Sequence, residues 1–230
     1  MEPETKQAYY DKDEKPYAIG FTVEPENTVL VITDMQYSSA CRTTGVGKRM
    51  TESGKAELFK WRFDRIEKLV LPNIQKLLSY FREKKLSVLY LTVGAVLPDY
   101  SDAPAYLREF FRKANNHEGT REHEILDEVK PKEGEYVLNK TTRGAFNSTG
   151  IDSLLRAFET KYLIFTGVST DECVESTIRD AVDRGYRCVL IEDACSATEE
   201  EFHQVSVLHH QKKWGRVATA DEIIEELSGA

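Results

Sequence analysis

The sequence lacks long apolar runs, paired cysteines and an excess of positive charge, and each absence excludes a class of protein. No segment of the 230 residues approaches the ~20 apolar residues of a membrane-spanning helix. Asp and Glu number 39 against 31 Lys and Arg, so the formal net charge of −8 argues against binding to nucleic acid or to an anionic membrane. The first residues contain no apolar core of a secretory signal, and we expect a cytoplasmic location.

Cysteine and histidine do not form a metal-binding pattern. None of Cys41, Cys173, Cys188 and Cys195 lies in a CxxC pair, and the histidines do not complete a zinc spacing with them. Free thiols are therefore expected, with no metal site and no organic cofactor. Three of the thiols are interpreted as structural, and Cys173 is the exception because it lies at a predicted strand–helix turn.

Short β-branched runs alternate with longer helical patterns from residue 28 onward. Strands are predicted where the runs are continuously apolar, at residues 28–33, 86–93, 136–138, 162–166, 187–191 and 215–218. Helices are predicted between and after them, at residues 66–81, 151–158, 172–184, 200–212 and 221–227. This alternation predicts an α/β fold in which a parallel sheet carries helices on both faces.

The length fits one α/β domain, which we place at residues 27–230. Residues 1–26 are polar and carry charge of both signs, so we expect an arm that packs on the domain or on a neighbouring subunit. Residues 94–135 form the least regular part of the domain and contain three prolines. They are predicted to form a lid or an interface.

An acid, a lysine and a thiol follow three of the predicted strands. Asp34 follows the first, Lys140 the third, and Cys173 lies in the first turn of the helix after the fourth. Ligands of open parallel sheets bind beyond the carboxyl ends of the strands, so these side chains are expected to share a site. The helix N-terminus and a nearby lysine favour a thiolate, and we expect Cys173 to be ionised at neutral pH.

Together these groups suit attack on a carbonyl carbon. The carboxylate can take the thiol proton and return it to a leaving nitrogen, and backbone N–H groups at the turn suit an oxyanion hole. Each residue alone also fits a structural interpretation, namely a packed thiol, a carboxylate that caps a loop and a solvated lysine. Spacing alone leaves both interpretations open.

Four segments resemble the isochorismatase-like cysteine hydrolases, and the resemblance covers residues 28–225. The segments are VLVITDMQ at 29–36, KTTRGAFNSTGID at 140–152, FTGVSTDECVE at 165–175 and DAVDRGYRCVLIEDAC at 180–195. The resemblance implies a catalytic triad of Asp34, Lys140 and Cys173, and a cis peptide bond between Val168 and Ser169. It also implies an oxyanion hole formed by the N–H groups of Ser169 and Cys173, a six-stranded parallel sheet between helical layers, and a homo-oligomer, either dimer or tetramer.

The branch of the family follows from what surrounds the motifs. Residues 41–116 contain no histidine, so the metal site that the family's nicotinamidases carry there is not expected. Cys173 favours amide chemistry over the vinyl-ether cleavage of isochorismatases. The sequence then resembles the N-carbamoylsarcosine, ureidoacrylate and biuret amidohydrolases, which implies cleavage of a small N-carbamoyl or ureido compound through an acyl-Cys173 intermediate with release of ammonia. The alternatives are a vinyl-ether or ester hydrolase and a non-catalytic interaction module with the same fold.

Substrate-binding candidates are the residues that follow the acid and the lysine. Gln36 and Tyr37 extend beyond Asp34, although Gln36 is equally suited to holding backbone groups. Phe146 and Asn147 follow Lys140, and Phe146 is expected to form a wall beside a planar amide. Arg143 is expected either to pair with a substrate carboxylate or to form a surface or intersubunit salt bridge. The only other partner expected is a further copy of the chain.

Overall fold

The computed structural model of the protein describes residues 20–229, and six parallel strands form one sheet in this part of the chain. The strand order is β3-β2-β1-β4-β5-β6. The strands are β1 (Thr28–Thr33), β2 (Ser87–Val93), β3 (Tyr136–Lys140), β4 (Tyr162–Val168), β5 (Arg187–Ser196) and β6 (Gly215–Ala218). The predicted six-stranded parallel sheet is confirmed, and β3, β4 and β5 extend beyond their predicted carboxyl ends.

Helices flank the sheet, and four of them adjoin one of three π-helical turns. They are α1 (Gly45–Glu52), α2 (Lys60–Arg65), α3 (Leu71–Glu83), α4 (Ala105–Lys113), α5 (Ile151–Ala157), α6 (Glu175–Asp183), α7 (Glu200–His209) and α8 (Ala220–Ser228). The π turns span Ile66–Val70, Thr170–Val174 and His210–Trp214. Two of the π turns overlap the start of a predicted helix, at residues 66–81 and 172–184, and the third overlaps the end of the helix predicted at 200–212.

Apolar residues pack on both faces of the sheet, which explains why the buried strands have no polar face. On one face, Ile74, Leu77 and Phe81 of α3 pack with Ile223 of α8 against the sheet. Residues of α5 and α6 line the other face, where they pack with β4 and β5. Burying such a side chain stabilises the fold by about 1.5–3 kcal/mol. The helical layers predicted on both faces are therefore present.

Gly167 allows β1 and β4 to approach closely near their carboxyl ends. It pairs with Thr33 and has a φ of 103°, a conformation that favours glycine. A Cβ atom at this position would lie 2.0 Å from the backbone oxygen of Thr33. The register of β4 against β5 also shifts between Phe165 and Gly167. The glycine thus fixes how β4 leads into the turn that follows it.

Residues 94–135 are more regular than the sequence suggests, because they contain α4 and a small apolar cluster of their own. Tyr100, Leu107 and Phe111 belong to this cluster, which packs against Val93 at the end of β2. A bridge between Gln36 and Ile125 ties the segment to the end of β1. Its role as a lid or an interface stays a prediction.

The arm predicted at residues 1–26 lies mostly outside the described residues. The described part packs on the domain, where the N–H of Val23 donates to Glu226 (2.7 Å) and Arg216 donates to the carbonyl of Phe21 (2.7 Å). The division into an arm and one domain stays a prediction. Among residues 20–229, no helix combines the length and the apolar character needed to cross a bilayer.

Candidate active site

The carboxyl ends of β1, β3 and β4 bring Asp34, Lys140 and Cys173 to one place. Lys140 Nζ donates a hydrogen bond of 2.8 Å to Asp34 Oδ2, and both side chains are buried. Cys173 is 7% exposed, and its sulfur interacts electrostatically with both partners. The second carboxylate oxygen, Asp34 Oδ1, is buried and accepts no hydrogen bond in the described structure. It is therefore free to accept the thiol proton.

The backbone around Asp34 fixes the direction of the carboxylate. Asp34 has a φ of 51°, a left-handed conformation that aspartate adopts more readily than most residues. Its N–H donates to the carbonyl of Leu91 (2.9 Å), and its own carbonyl accepts from the N–H of Gln36 and the hydroxyl of Ser39. The acid thus follows β1 on a turn that is hydrogen-bonded on both sides, as is common at functional sites.

Burial and pairing together set the charges of the acid and the lysine. Burial raises the pKa of Asp34 more than the Lys140 ammonium lowers it. Burial alone would lower the pKa of Lys140, but the Asp34 carboxylate and the Cys173 sulfur reverse this effect and raise it. Asp34 is consequently a stronger base than an exposed carboxylate, while the lysine remains an ammonium.

The expectation of a thiolate at neutral pH is wrong for this site. Burial raises the pKa of the Cys173 thiol, and the Asp34 carboxylate raises it further. Lys140 offsets only part of this increase. The helix N-terminus therefore does not suffice to ionise a sulfur that is enclosed next to an anion. The geometry suits a protonated thiol that transfers its proton to Asp34 as the sulfur attacks.

A buried arginine that the sequence analysis missed lies beside this site. The peptide bond between Val168 and Ser169 is cis, and Ser169 Oγ accepts a hydrogen bond of 2.8 Å from Arg62 Nη1. Arg62 is 4% exposed and also donates from Nε and Nη2 to the carbonyl of Ser39. An arginine in a short amphipathic helix usually faces solvent, so the sequence contains no signal for this role.

Two of the predicted substrate-binding residues have partners within the protein. Gln36 is fully buried, and its amide accepts from the N–H of Val93 (2.8 Å) and donates to the carbonyl of His123 (2.8 Å). Tyr37 donates to Asp127 (2.9 Å) and lies under the guanidinium of Arg121, toward the surface. Gln36 therefore has the backbone-holding role that the sequence left open, and Tyr37 is occupied outside the site.

Arg143 lies next to the site, in an ion pair. Its Nη2 donates to Glu172 Oε1 (2.9 Å), and both side chains are about two-fifths exposed, at 41% and 43%. The guanidinium also lies over the ring of Tyr106 on α4, at 5.3 Å. Glu172 raises the pKa of both Asp34 and Cys173, which shows that this pair is close to the buried groups. The Arg143 Nε is buried and has no partner in the described chain.

Phe146 and Asn147 lie away from the other candidates. The ring of Phe146 is 6.2 Å from that of Tyr186, which precedes β5 at the opposite end of the sheet. Asn147 is exposed and donates to Asp180 (3.0 Å) on α6. The expectation that Phe146 forms a wall beside the substrate is corrected accordingly. An aromatic residue after a strand can turn either toward the site or back into the helical layer. Here the ring of Phe146 packs against the apolar residues on the sheet face that α5 and α6 cover.

Comparisons with known proteins place this chain in one family. The sequence model of the isochorismatase domain matches residues 28–222. The ureidoacrylate amidohydrolases RutB of Rhizobium rhizogenes and Agrobacterium fabrum are each 30% identical over 91% of this chain, which corresponds to 87% and 93% of their own lengths.

Solved structures share the fold over most of their length. A cysteine hydrolase from Pseudomonas syringae has a TM-score of 0.75 and 22% identity, and covers 92% of this chain and 97% of its own. The N-carbamoylsarcosine amidase from Thermoplasma acidophilum has a TM-score of 0.62 and 24% identity, and the match covers 85% of this chain and 97% of the amidase. These likenesses show a common fold over most of the chain.

Proposed function

Since the chain belongs to the isochorismatase family, we propose that it is a cysteine amidohydrolase that cleaves a C–N bond of a small N-carbamoyl or ureido compound. The observation that carries the proposal is the buried Asp34–Lys140 pair beside Cys173. A carboxylate with a raised pKa, a fixed cation and an enclosed thiol are the parts that amide cleavage by a thiol requires. Relatives named as ureidoacrylate amidohydrolases match along most of the chain and support this substrate class.

In the first step, Cys173 attacks the carbonyl carbon of the substrate. The thiol proton moves to Asp34, the S–C bond forms, and the C=O electron pair moves onto oxygen. The N–H groups of Ser169 and Cys173 are proposed to bind this oxyanion. Lys140 keeps its proton and stabilises the negative charge that is redistributed around it.

In the second step, the oxyanion collapses and the C–N bond breaks. Asp34 returns the proton to the leaving nitrogen, which departs as ammonia and leaves a thioester on Cys173. Water then attacks the thioester while Asp34 takes one of its protons, and the departing sulfur regains that proton. With a ureido substrate the product is a carbamate, which decomposes to an amine and carbon dioxide.

The position of Arg143 supports a substrate that carries a carboxylate. Its pairing with Glu172 is an exposed contact, and exposed pairs are worth only about 0–1 kcal/mol, so a second carboxylate can compete for the guanidinium. The Arg143 side chain is 41% exposed, so a substrate carboxylate can reach the guanidinium and form a bidentate contact with it. A ureido acid is therefore the preferred form within the proposed substrate class.

The test is a panel of ureido acids, their neutral amides and simple amides, with detection of ammonia, together with pyruvate detection for a vinyl-ether substrate. We expect ammonia from a ureido acid, and a mass increase on Cys173 in protein quenched during turnover. Cys173→Ser is expected to lose turnover by several orders of magnitude, whereas Cys41→Ser, which removes a thiol near α1, should retain it. Turnover in Cys173→Ser, or release of pyruvate without ammonia, would refute the assignment.

A further inference from the structure

Arg62 connects the two loops that carry the proposed acid–base and oxyanion groups. From α2 it reaches Ser39 in the loop after β1 and Ser169 after β4, with donor–acceptor distances of 2.8–3.2 Å. Ser39 in turn donates its hydroxyl to the carbonyl of Asp34 (2.7 Å). One guanidinium thus bridges the backbone around Asp34 and the side chain of Ser169, residues that are 135 positions apart in the sequence.

The environment of Arg62 is unusual for a buried arginine. Its hydrogen bonds within residues 20–229 go to a carbonyl and a hydroxyl, both neutral, and no carboxylate there forms an ion pair with it. A buried cation without an ionic partner is costly to the stability of the fold, because its charge loses hydration and gains no compensating attraction. The carboxylates that act on Arg62 electrostatically are Glu172 and Asp171, in the π turn that carries Cys173, and Asp34. The positive charge is thus available to the site.

We propose that Arg62 is a positioning residue of this hydrolase: it holds Ser169 so that its N–H faces the substrate oxygen, and its charge stabilises the oxyanion. This inference rests on the proposed function. During the first step, negative charge moves from the Asp34 carboxylate to the substrate oxygen beside Ser169. Arg62 contacts Ser169 directly and reaches Asp34 only through Ser39, so its charge favours the rearranged state.

The experiment compares Arg62→Met, Arg62→Lys, Ser169→Ala and the double variant R62M/S169A with Arg82→Met as the control. Arg82 is partly buried and donates to a carbonyl and to Glu135, but it lies in the last turn of α3, beside the residue that precedes β3 and away from the site. We expect kcat to fall about 10- to 100-fold in R62M and S169A with KM changed less than about threefold. The kcat of the double variant should be no lower than that of the worse single variant, because both substitutions remove the same Arg62–Ser169 interaction. R82M should lose thermal stability and keep kcat.

A second readout does not need turnover. The rate of Cys173 alkylation by iodoacetamide, followed by peptide mass in a Cys41→Ser background, should fall in R62M and be retained in R62K, which keeps the charge. Arg62→Lys should still lose kcat because one ammonium cannot bridge both loops. Wild-type kcat and alkylation in folded R62M, or multiplied effects in the double variant, would overturn the role of Arg62. Failure of the proposed function itself would appear differently, as a wild-type protein that releases no ammonia.

Discussion

Asp34, Lys140 and Cys173 work as one titrating unit, in which each charge depends on the other two. The carboxylate must be ionised to accept the thiol proton, and burial raises its pKa above the ordinary 3.8. Activity should therefore rise with pH through that higher value. Above it, the thiol is still protonated, because its pKa is raised as well. In the proposed mechanism, Asp34 therefore acts as the base over the neutral range and takes its proton from the Cys173 thiol.

Lys140→Met should move the acid limb of the pH profile. The ammonium lowers the pKa of Asp34, so its removal raises that pKa further and shifts the rise of kcat/KM to higher pH. The plateau should also fall by about 10²–10⁴-fold, because the acid–base group is no longer held. Profiles of kcat/KM for both proteins measure the shift, and circular dichroism checks the fold. An unshifted limb would mean that a group other than Asp34 controls it.

The residues that could be predicted from the sequence are those that follow a strand directly. Asp34 and Lys140 were placed together because parallel strands end at one edge of a sheet. Gln36 and Arg62 could not be assigned, since their partners are chosen by contacts across 57 and 107 residues of sequence. The protonated state of Cys173 could not be predicted either. The helix N-terminus, which favours a thiolate, can be recognised in the sequence, whereas the burial that raises the thiol pKa is known only from the packed structure.

At the scale of elements, the sequence places the centres of strands and helices better than their ends. The apolar runs predicted the cores of β4 and β5, but both strands continue through residues such as Gly167 and Ser196 that have little strand preference. Pairing with β1 and the shifted register hold those extra residues in the sheet. The π turn at Thr170–Val174 was likewise invisible, because its sequence is an ordinary helix start.

Gly167→Ala tests the close approach of β1 and β4. The new Cβ would overlap the carbonyl of Thr33, and the φ of 103° is unfavourable for alanine, so we expect a loss of stability of more than about 3 kcal/mol. Gly185→Ala is the matched control, since its φ is 92° but nothing lies within 4 Å of the added Cβ. It should cost about 1 kcal/mol. Urea unfolding measures both, and equal losses would show that φ alone matters.

For the whole molecule, the expected cytoplasmic location and the expected homo-oligomer stay predictions. Light scattering measures the oligomeric state.

The net charge of −8 belongs to the whole chain, whereas in the site the acid and the lysine form a buried pair of opposite charges. Salt screens exposed charges far more than buried ones. We therefore expect kcat to change less than about twofold between roughly 0.05 and 0.5 M NaCl. A steep dependence of kcat on salt would place the reacting charges in contact with solvent.

The opposite charges of Asp34 and Lys140 cancel inside the protein, and in the proposed mechanism the proton that leaves Cys173 passes to Asp34 within the same enclosure. Each proposed chemical step therefore moves charge within the site without changing the net charge of the site. Neither an ion nor a buffer molecule has to cross the protein boundary until ammonia departs. Turnover of this kind is self-contained, and bulk acid–base catalysts added to the medium should leave its rate untouched.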